Sequence, residues 1–297
     1  MSDMLLSAVA QGIIWSLMGL GIFVSFRVLR EADLTAEASF TLGAVSGAQA
    51  LAFGLDPALS VLISFLAGAA AGAITGILAT KLKINVLISG IITMTSLYSI
   101  NLAILGKANL SLNSFTTFRE ALAPLGLARN LDTVIIGALI CAIIIVGLVL
   151  FFKTEMGQAL IATGDNVQVA RALGIRTDEM KMLGLMLANG LVAMSGNLVA
   201  QDNGYADIGM GVGTVVLGLA AVILGEVLIR NVSLPMRLVA IIIGAIVYRL
   251  LLMLVLQLHF NANDFKLFSG IILALCLAIP MIGKKRNSPD ALNLGGE

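Results

Sequence analysis

Thr133-Val-Ile-Ile-Gly-Ala-Leu-Ile-Cys141-Ala-Ile-Ile-Ile-Val-Gly-Leu-Val-Leu-Phe-Phe152 carries no charge anywhere along its length. As an α-helix it rises about 30 Å, the hydrocarbon thickness of a bilayer. Outward from it, further apolar runs occupy about 5–26, 39–54, 59–80 and 86–105 on one side and about 180–201, 213–229, 238–257 and 267–283 on the other, each near the roughly 20 residues a crossing needs. Together they predict an all-α, polytopic transmembrane helical bundle of about nine spans. The run at 39–54 is short and follows a polar linker, 27–38, so a short or broken helix is expected there. Such backbone survives at membrane depth only where protein or a water-filled cavity surrounds it.

Composition agrees. Of 297 residues, 59% are hydrophobic and 12% charged, and mean hydropathy is +1.03. A soluble domain carries about 25% charged residues, so much of this surface must face lipid. A net charge of +1 offers no basic field for nucleic acid. Cys141 and Cys276 sit inside apolar runs and read as small core residues. His259 has no second histidine or cysteine cluster near it, so no metal site is expected. Met1-Ser2-Asp3 lacks the basic start of a signal peptide, which makes the first run a retained span. No lipobox-like cysteine lies near the start.

Basic residues fall in alternate loops: Arg27 and Arg30; Lys81 and Lys83; Lys153, Arg171, Arg176 and Lys181; Arg230 and Arg237; Lys284 to Arg286. The positive-inside rule makes these loops cytoplasmic, with the N-terminus outside and the C-terminus inside. Lys107, Arg119 and Arg129 dilute the contrast in the longest opposite loop. Gly68, Gly72 and Gly76 share one helical face in the third span and predict close helix packing. Ala32-Asp33-Leu34 with Leu42-Gly43 is echoed by Ala206-Asp207-Ile208 with Leu217-Gly218, in the manner of an inverted repeat.

The loop after 133–152 is the most informative. Asp165 is expected to cap a short helix, with Gln168 at capping-box spacing and Gly174 at the left-handed C-terminal position. Val169, Ala170 and Leu173 form its small apolar stripe, and Thr177 is expected to cap the next span, with Asp178 and Glu179 in the first turn. A flexible linker would not need two caps.

Gly157, then Ala162-Thr163-Gly164-Asp165-Asn166, then Ala170-Arg171-Ala172-Leu173-Gly174-Ile175 resembles the cytoplasmic coupling segment of ABC importer permeases of the branched-chain amino acid and sugar type. Gln11-Gly12, Trp15-Ser16-Leu17 and Leu20-Gly21 resemble that family's opening, as do Asp33-Leu34-Thr35, Ser39-Phe40 and Leu42-Gly43. The stretch 90–101 and Gly106-Lys-Ala-Asn109 resemble the subgroup described as tryptophan or tyrosine transport permeases. The resemblance implies the importer permease fold, with residues 1–286 as the permease domain, about 154–178 as the coupling segment and 287–297 as a short polar tail. It implies a multi-pass subunit of the bacterial plasma (inner) membrane, without its own ATPase site, that translocates an amino acid or similar small solute by alternating access. The implied partners are an ABC ATP-binding subunit that uses ATP and Mg, an extracytoplasmic substrate-binding protein, and a second permease copy in a dimer. Gly157, Thr163, Gly164, Asp165, Asn166, Ala170, Arg171 and Gly174 would contact or support the ATPase. The family commonly has Arg where this chain has Ile161, so one polar contact in or beneath the segment is expected to be missing.

The candidate pathway residues are Asp33, Thr35, Glu37 and Ser39 around the second span, Thr95, Tyr98 and Asn101 in the fourth, and Tyr205, Asp207 and Arg249. Polar groups in the fourth span must bond to other helices or line a wet cavity. Arg249 falls near mid-membrane, where it meets a carboxylate-bearing solute or is satisfied by backbone carbonyls or a neighbouring span. Glu226 is one turn from Arg230, so a local pair is expected. Arg27 and Lys181 lie near span ends, where they can snorkel. The chain has no Gly-x-x-x-x-Gly-Lys-Ser/Thr nucleotide loop and no hydrolase signature, which argues against ATP binding or catalysis by this chain. An ion-gradient-driven secondary transporter is the alternative, but it needs coordinating acids and the spans offer almost none beyond Glu226. A channel or scaffold would have no use for a doubly capped docking helix.

Overall fold

The computed structural model describes residues 2–122, 131–229 and 232–257 and, beyond these, only positions 267, 270, 271 and 274. Helix α1 (Ser2–Ile22) continues into a π-helical turn (Phe23–Val28). There follow α2 (Thr35–Ala52), α3 (Pro57–Thr80), α4 (Val86–Leu105), α5 (Phe118–Leu122), α6 (Leu131–Lys153), α7 (Glu155–Asp165), α8 (Val167–Ala172), α9 (Thr177–Asn203), α10 (Thr214–Leu228) and α11 (Leu234–Gln257). Two short strands, β1 (Asn109–Ser111) and β2 (Tyr205–Asp207), pair antiparallel with Leu110 opposite Ala206, an addition to the expected all-helical fold.

Among the described residues, six helical segments are long and apolar enough to cross a membrane: Met4–Val28, Pro57–Thr80, Val86–Leu105, Leu131–Lys153, Thr177–Asn203 and Leu234–Val255. They match six of the nine predicted runs. Helix α10 has 15 residues and α2, with 18, is not among the six. The last predicted run, 267–283, lies largely outside the described residues, as do Cys276, His259 and the tail 287–297.

Helix α2 is less apolar than the apolar stretches of the six because protein, not lipid, surrounds it. Fourteen of its 18 residues are buried, and it is rich in Ala, Gly, Ser and Thr. It packs against α9, α3 and α4, and α9 in turn runs along α3 and α1. Glycines permit this closeness. A Cβ on Gly43 would collide with the Ala193 backbone, and one on Gly196 with the Phe40 carbonyl. Gly68, Gly72 and Gly76 of α3 likewise meet α9 at Asn189, Leu185 and Met182. Helix α6 is the opposite case. Ile135, Leu139, Ile143, Val146 and Leu150 form an exposed apolar face, as a lipid-facing helix requires. Its Cys141 is a free, buried thiol whose Sγ lies 3.3 Å from Ser16 Oγ on α1.

A buried polar network fixes α2 among its neighbours. The Asn189 side chain on α9 donates to Asp33 Oδ2 (2.6 Å) and accepts from Ser39 Oγ (2.7 Å). Asp33 Oδ1 accepts from the Thr35 amide at 2.9 Å. Thr35 Oγ1 meets Thr75 Oγ1 of α3 at 2.7 Å, and Thr75 donates to Thr93 Oγ1 of α4 at 2.9 Å. Burial raises the Asp33 pKa above the ordinary carboxylate value, and the hydrogen bonds from Thr35 and Asn189 oppose that shift.

Charged groups collect at the two ends of the bundle. At one end Arg27 pairs with Glu226, Lys181 with Glu31, Arg30 with Asp165 (2.6 Å) and Lys83 with Asp178 (3.0 Å). Glu226 therefore reaches the π-turn across the bundle; its expected partner Arg230 lies outside the described residues. At the other end Arg119 bonds Asp132 (3.1 Å) and Asp202 (3.4 Å), beside the β1–β2 pair. Among the described residues, Arg27, Arg30, Lys83 and Lys181 thus meet at one end.

Three variants test this core. Gly196→Val is expected to abolish a monodisperse, correctly inserted protein, whereas Gly147→Ala on the open face of α6 leaves apparent Tm unchanged or raised, since Ala is favoured over Gly in a helix by about 1 kcal/mol. Asn189→Ala strands the Asp33 carboxylate and Ser39 hydroxyl. It should cost about 2–3 kcal/mol, read as a lower Tm in detergent. An unchanged Tm would remove the network's structural role.

Candidate functional site

The segment between α6 and α9 forms two helices, where one was expected. Thr154 caps α7, its Oγ1 accepting from the Gly157 amide at 3.2 Å. Asp165 closes α7, so it does not cap α8. That cap is Asn166, whose Oδ1 accepts from the amides of Gln168 (3.0 Å) and Val169 (3.1 Å). Asp165 is free to pair with Arg30, which sits in the left-handed region at φ +57° as the chain leaves the π-turn. Gly174, at φ +84°, ends α8: its amide bonds the Arg171 carbonyl and the Ile175 amide bonds the Ala170 carbonyl, a Schellman pattern. Thr177 begins α9 without capping it, and its Oγ1 accepts from Arg171 at 3.0 Å. Arg171 also reaches Asp178 at 3.3 Å.

Burial sorts the predicted coupling residues. Ala170 is 1% exposed and Thr163 is fully buried, so both pack inside this chain; Ala170 does not belong to an exposed docking face. Val169 and Leu173, at 54% and 74% exposed, are the apolar side chains that α8 presents outward. Gly157 and Gly164 are packing positions. A Cβ on Gly157 would collide with the Phe151 carbonyl, and one on Gly164 with the Val28 carbonyl at the end of the π-turn. Ile161, in place of the family's Arg, packs against the apolar core.

The pathway residues divide as well. Asp33, Thr35 and Ser39 are buried and spent in the α2 network. Thr35 and Glu37 belong to the first turn of α2, which begins four residues before the predicted run. Glu37, Thr95, Tyr98 and Asn101 instead line a cavity of about 290 Å³ between α2, α4 and residues 208–212. Thr95 donates back to the Ile91 carbonyl at 2.8 Å, so its hydroxyl is satisfied within its own helix. Asn101 donates to the Ala38 carbonyl at 3.4 Å. Tyr205 and Asp207 lie on β2. Asp207 Oδ1 accepts from the Gly209 amide at 2.7 Å, the same two-residue turn that Asp33 makes with Thr35.

Arg249 lines a second cavity of about 460 Å³ with Gln11, Trp15, Asn203, Met210 and Thr214. Its guanidinium lies 4.3 Å from the centroid of the Trp15 ring, which itself stacks on Phe40 at 4.9 Å. Sequence reasoning had no signal for Trp15, because contact between α1 and α11 is purely tertiary. Among the described residues, no cluster of His, Cys, Asp or Glu is arranged to hold a metal.

A family profile described as "branched-chain amino acid transport system / permease component" matches residues 4–277. A tyrosine transport system permease protein of Clostridioides difficile (strain R20291) is 39% identical over 275 residues, covering 92% of this chain and 90% of that protein. Among solved structures, PsaBC from Streptococcus pneumoniae in complex with Fab aligns at TM-score 0.52 and 17% identity, over 93% of this chain and 90% of that one. A metal-chelate type ABC transporter in an inward-facing conformation aligns at TM-score 0.53 and 18% identity, over 94% of this chain and 85% of that one. At those identities the structures speak for the fold alone. With its six apolar helices and a family match across nearly its whole length, the chain belongs to the branched-chain amino acid transport system permease family: it is a multi-pass membrane protein and the permease component of an ABC importer, whose ATP is hydrolysed by a partner subunit.

Proposed function

We propose that this chain translocates an amino acid, aromatic or branched-chain, across the bacterial plasma (inner) membrane by alternating access, as one half of a permease dimer. The observation that carries this reading is α8. A helix of six residues, capped by Asn166 and closed by Gly174, holds Val169 and Leu173 outward at the more basic end of the bundle. Such a short helix is not stable alone, so its two caps and exposed apolar side chains suit a docking partner. That partner is the ABC ATP-binding subunit, and Asp165, Asn166, Arg171 and Gly174 frame the contact while Gly157, Thr163, Gly164 and Ala170 support it from beneath. The basic loops support a cytoplasmic position for this end, with the N-terminus outside and the C-terminus inside.

An extracytoplasmic substrate-binding protein delivers the solute to the β1–β2 end. Glu37, Thr95, Tyr98 and Asn101 border the path, and Asp33, Thr35 and Ser39 are reached only when α2 parts from α9. Amino-acid specificity is supported by the family description and by the tyrosine permease relative.

Leu173→Asp should abolish co-purification of the ATP-binding subunit from mild detergent and stop ATP-driven uptake, with expression and Tm unchanged because Leu173 packs little within its own chain. Ala170→Asp should instead lower Tm, because it buries a charge. Intact association and uptake in Leu173→Asp would remove the coupling assignment. A chain that purifies alone and transports under an ion gradient would establish the secondary transporter.

A further inference from the structure

We propose that Arg249, held on the face of Trp15, binds the carboxylate of an amino-acid solute in the cavity bounded by α1, α10 and α11. The proposal rests on the importer reading for the identity of the solute, and on the cavity for the site. Arg249 begins about 15 residues into α11, roughly 22 Å along the helix. A cation at that depth is costly unless something neutralises it. Among the described residues Arg249 makes no ion pair. The acid that reaches it through space, Asp202, is already bonded to Thr133 (2.8 Å) and Arg119 (3.4 Å). The cation–π contact with Trp15 orients the guanidinium without using its hydrogen-bond donors, so the planar fork remains available for a carboxylate.

The surroundings suit a small organic anion. The cavity, about 460 Å³, falls in the usual range for small-molecule sites of about 300–1,000 Å³. Met210, Val216 and Leu217 give it an apolar wall, which fits an aromatic or branched side chain. Gln11, Asn203 and Thr214 supply polar groups that can accept from an ammonium. A phosphate from a lipid headgroup shares the anionic chemistry. The amide and hydroxyl lining favours a zwitterion.

Trp15 is the one tryptophan in the chain, so its emission reports on this site directly. The full chain is placed in phosphatidylcholine nanodiscs and titrated with L-tyrosine, exciting the indole at its red edge. A saturable change with L-tyrosine and none with tyramine, which lacks the carboxylate, is expected. Arg249→Gln should weaken L-tyrosine binding by about 10- to 100-fold, the loss of hydrogen bonds to a charged group. Val216→Phe, which fills the cavity and leaves the cation in place, should weaken it similarly. Equal responses to L-tyrosine and tyramine would overturn the proposal, as would wild-type affinity in a folded Arg249→Gln. If that variant does not fold, wild-type affinity in Val216→Phe overturns it. A response to added phosphatidylglycerol with none to L-tyrosine would also overturn it and assign the cavity to lipid. Loss of ATPase co-purification with the L-tyrosine response retained would overturn the importer reading and leave this site standing; co-purification without any L-tyrosine response would do the reverse.

Discussion

The side chain of Asn189 holds Asp33 with its amide nitrogen and Ser39 with its amide oxygen, and the architecture depends on that bridge. A carboxylate, three threonines and a serine buried among helices would each cost free energy if left unpaired. Paired, they fix the rotation and depth of α2 relative to α9, α3 and α4. Helix α2 then cannot face lipid, so other helices must wrap it. Glycines make the wrapping possible, Gly43 and Gly196 across α2 and α9, and Gly68, Gly72 and Gly76 along α3. The apolar surface left over goes to the outside, where α6 presents its row of Ile, Leu and Val to the bilayer. The polar centre and the lipid-facing rim are two results of one constraint.

The charged end plays a different part. Its ion pairs are largely exposed, and such pairs contribute about 0–1 kcal/mol each. They set register more than stability, and they can break and re-form as helices move. Arg30–Asp165 and the Gly164–Val28 contact bind α7 to the end of the π-turn. From there the chain runs through residues 29–34 directly to Asp33 and α2. A partner pressing on Val169 and Leu173 would act on α7, and through α7 on the segment that positions α2. In the π-turn the Leu29 amide reaches back five residues to the Val24 carbonyl at 3.0 Å, a local departure from α-helical geometry at the end of this span.

Much of this was legible in the sequence. Runs of uncharged residues identified the lipid-facing helices, because hydrocarbon leaves no alternative to apolar side chains there. The spacing of Gly68, Gly72 and Gly76 identified a packing face, and Gly174 identified a left-handed helix end. What escaped was decided by distant contacts. Asp165 and Asn166 are equally good caps by residue type; the end of α7 and the pull of Arg30 on Asp165 leave the cap to Asn166. Which side of α8 is buried depends on what lies beneath it, so Ala170 and its neighbours Val169 and Leu173 could not be told apart by periodicity. Glu226 meets Arg27 of the π-turn, 199 positions away, a contact that no local spacing announces. An apolar run does not say what covers it, and α2 is covered by protein.

The same bridge also governs the cavities. Val212 lines both, so residues 208–214 form the wall between the Glu37–Asn101 side and the Arg249–Trp15 side. That wall hangs on α2: the Gly211 amide donates to Thr41 Oγ1 at 3.1 Å, and the Gly213 amide to Glu37 Oε1 at 3.1 Å. Gly211 has no room for a side chain, since a Cβ there would collide with the Glu37 carbonyl. A shift of α2 would therefore carry the wall with it and change both cavities together. The groups that look most functional in sequence, Asp33, Thr35 and Ser39, then act at a distance. They hold the helix from which the wall between the two cavities hangs.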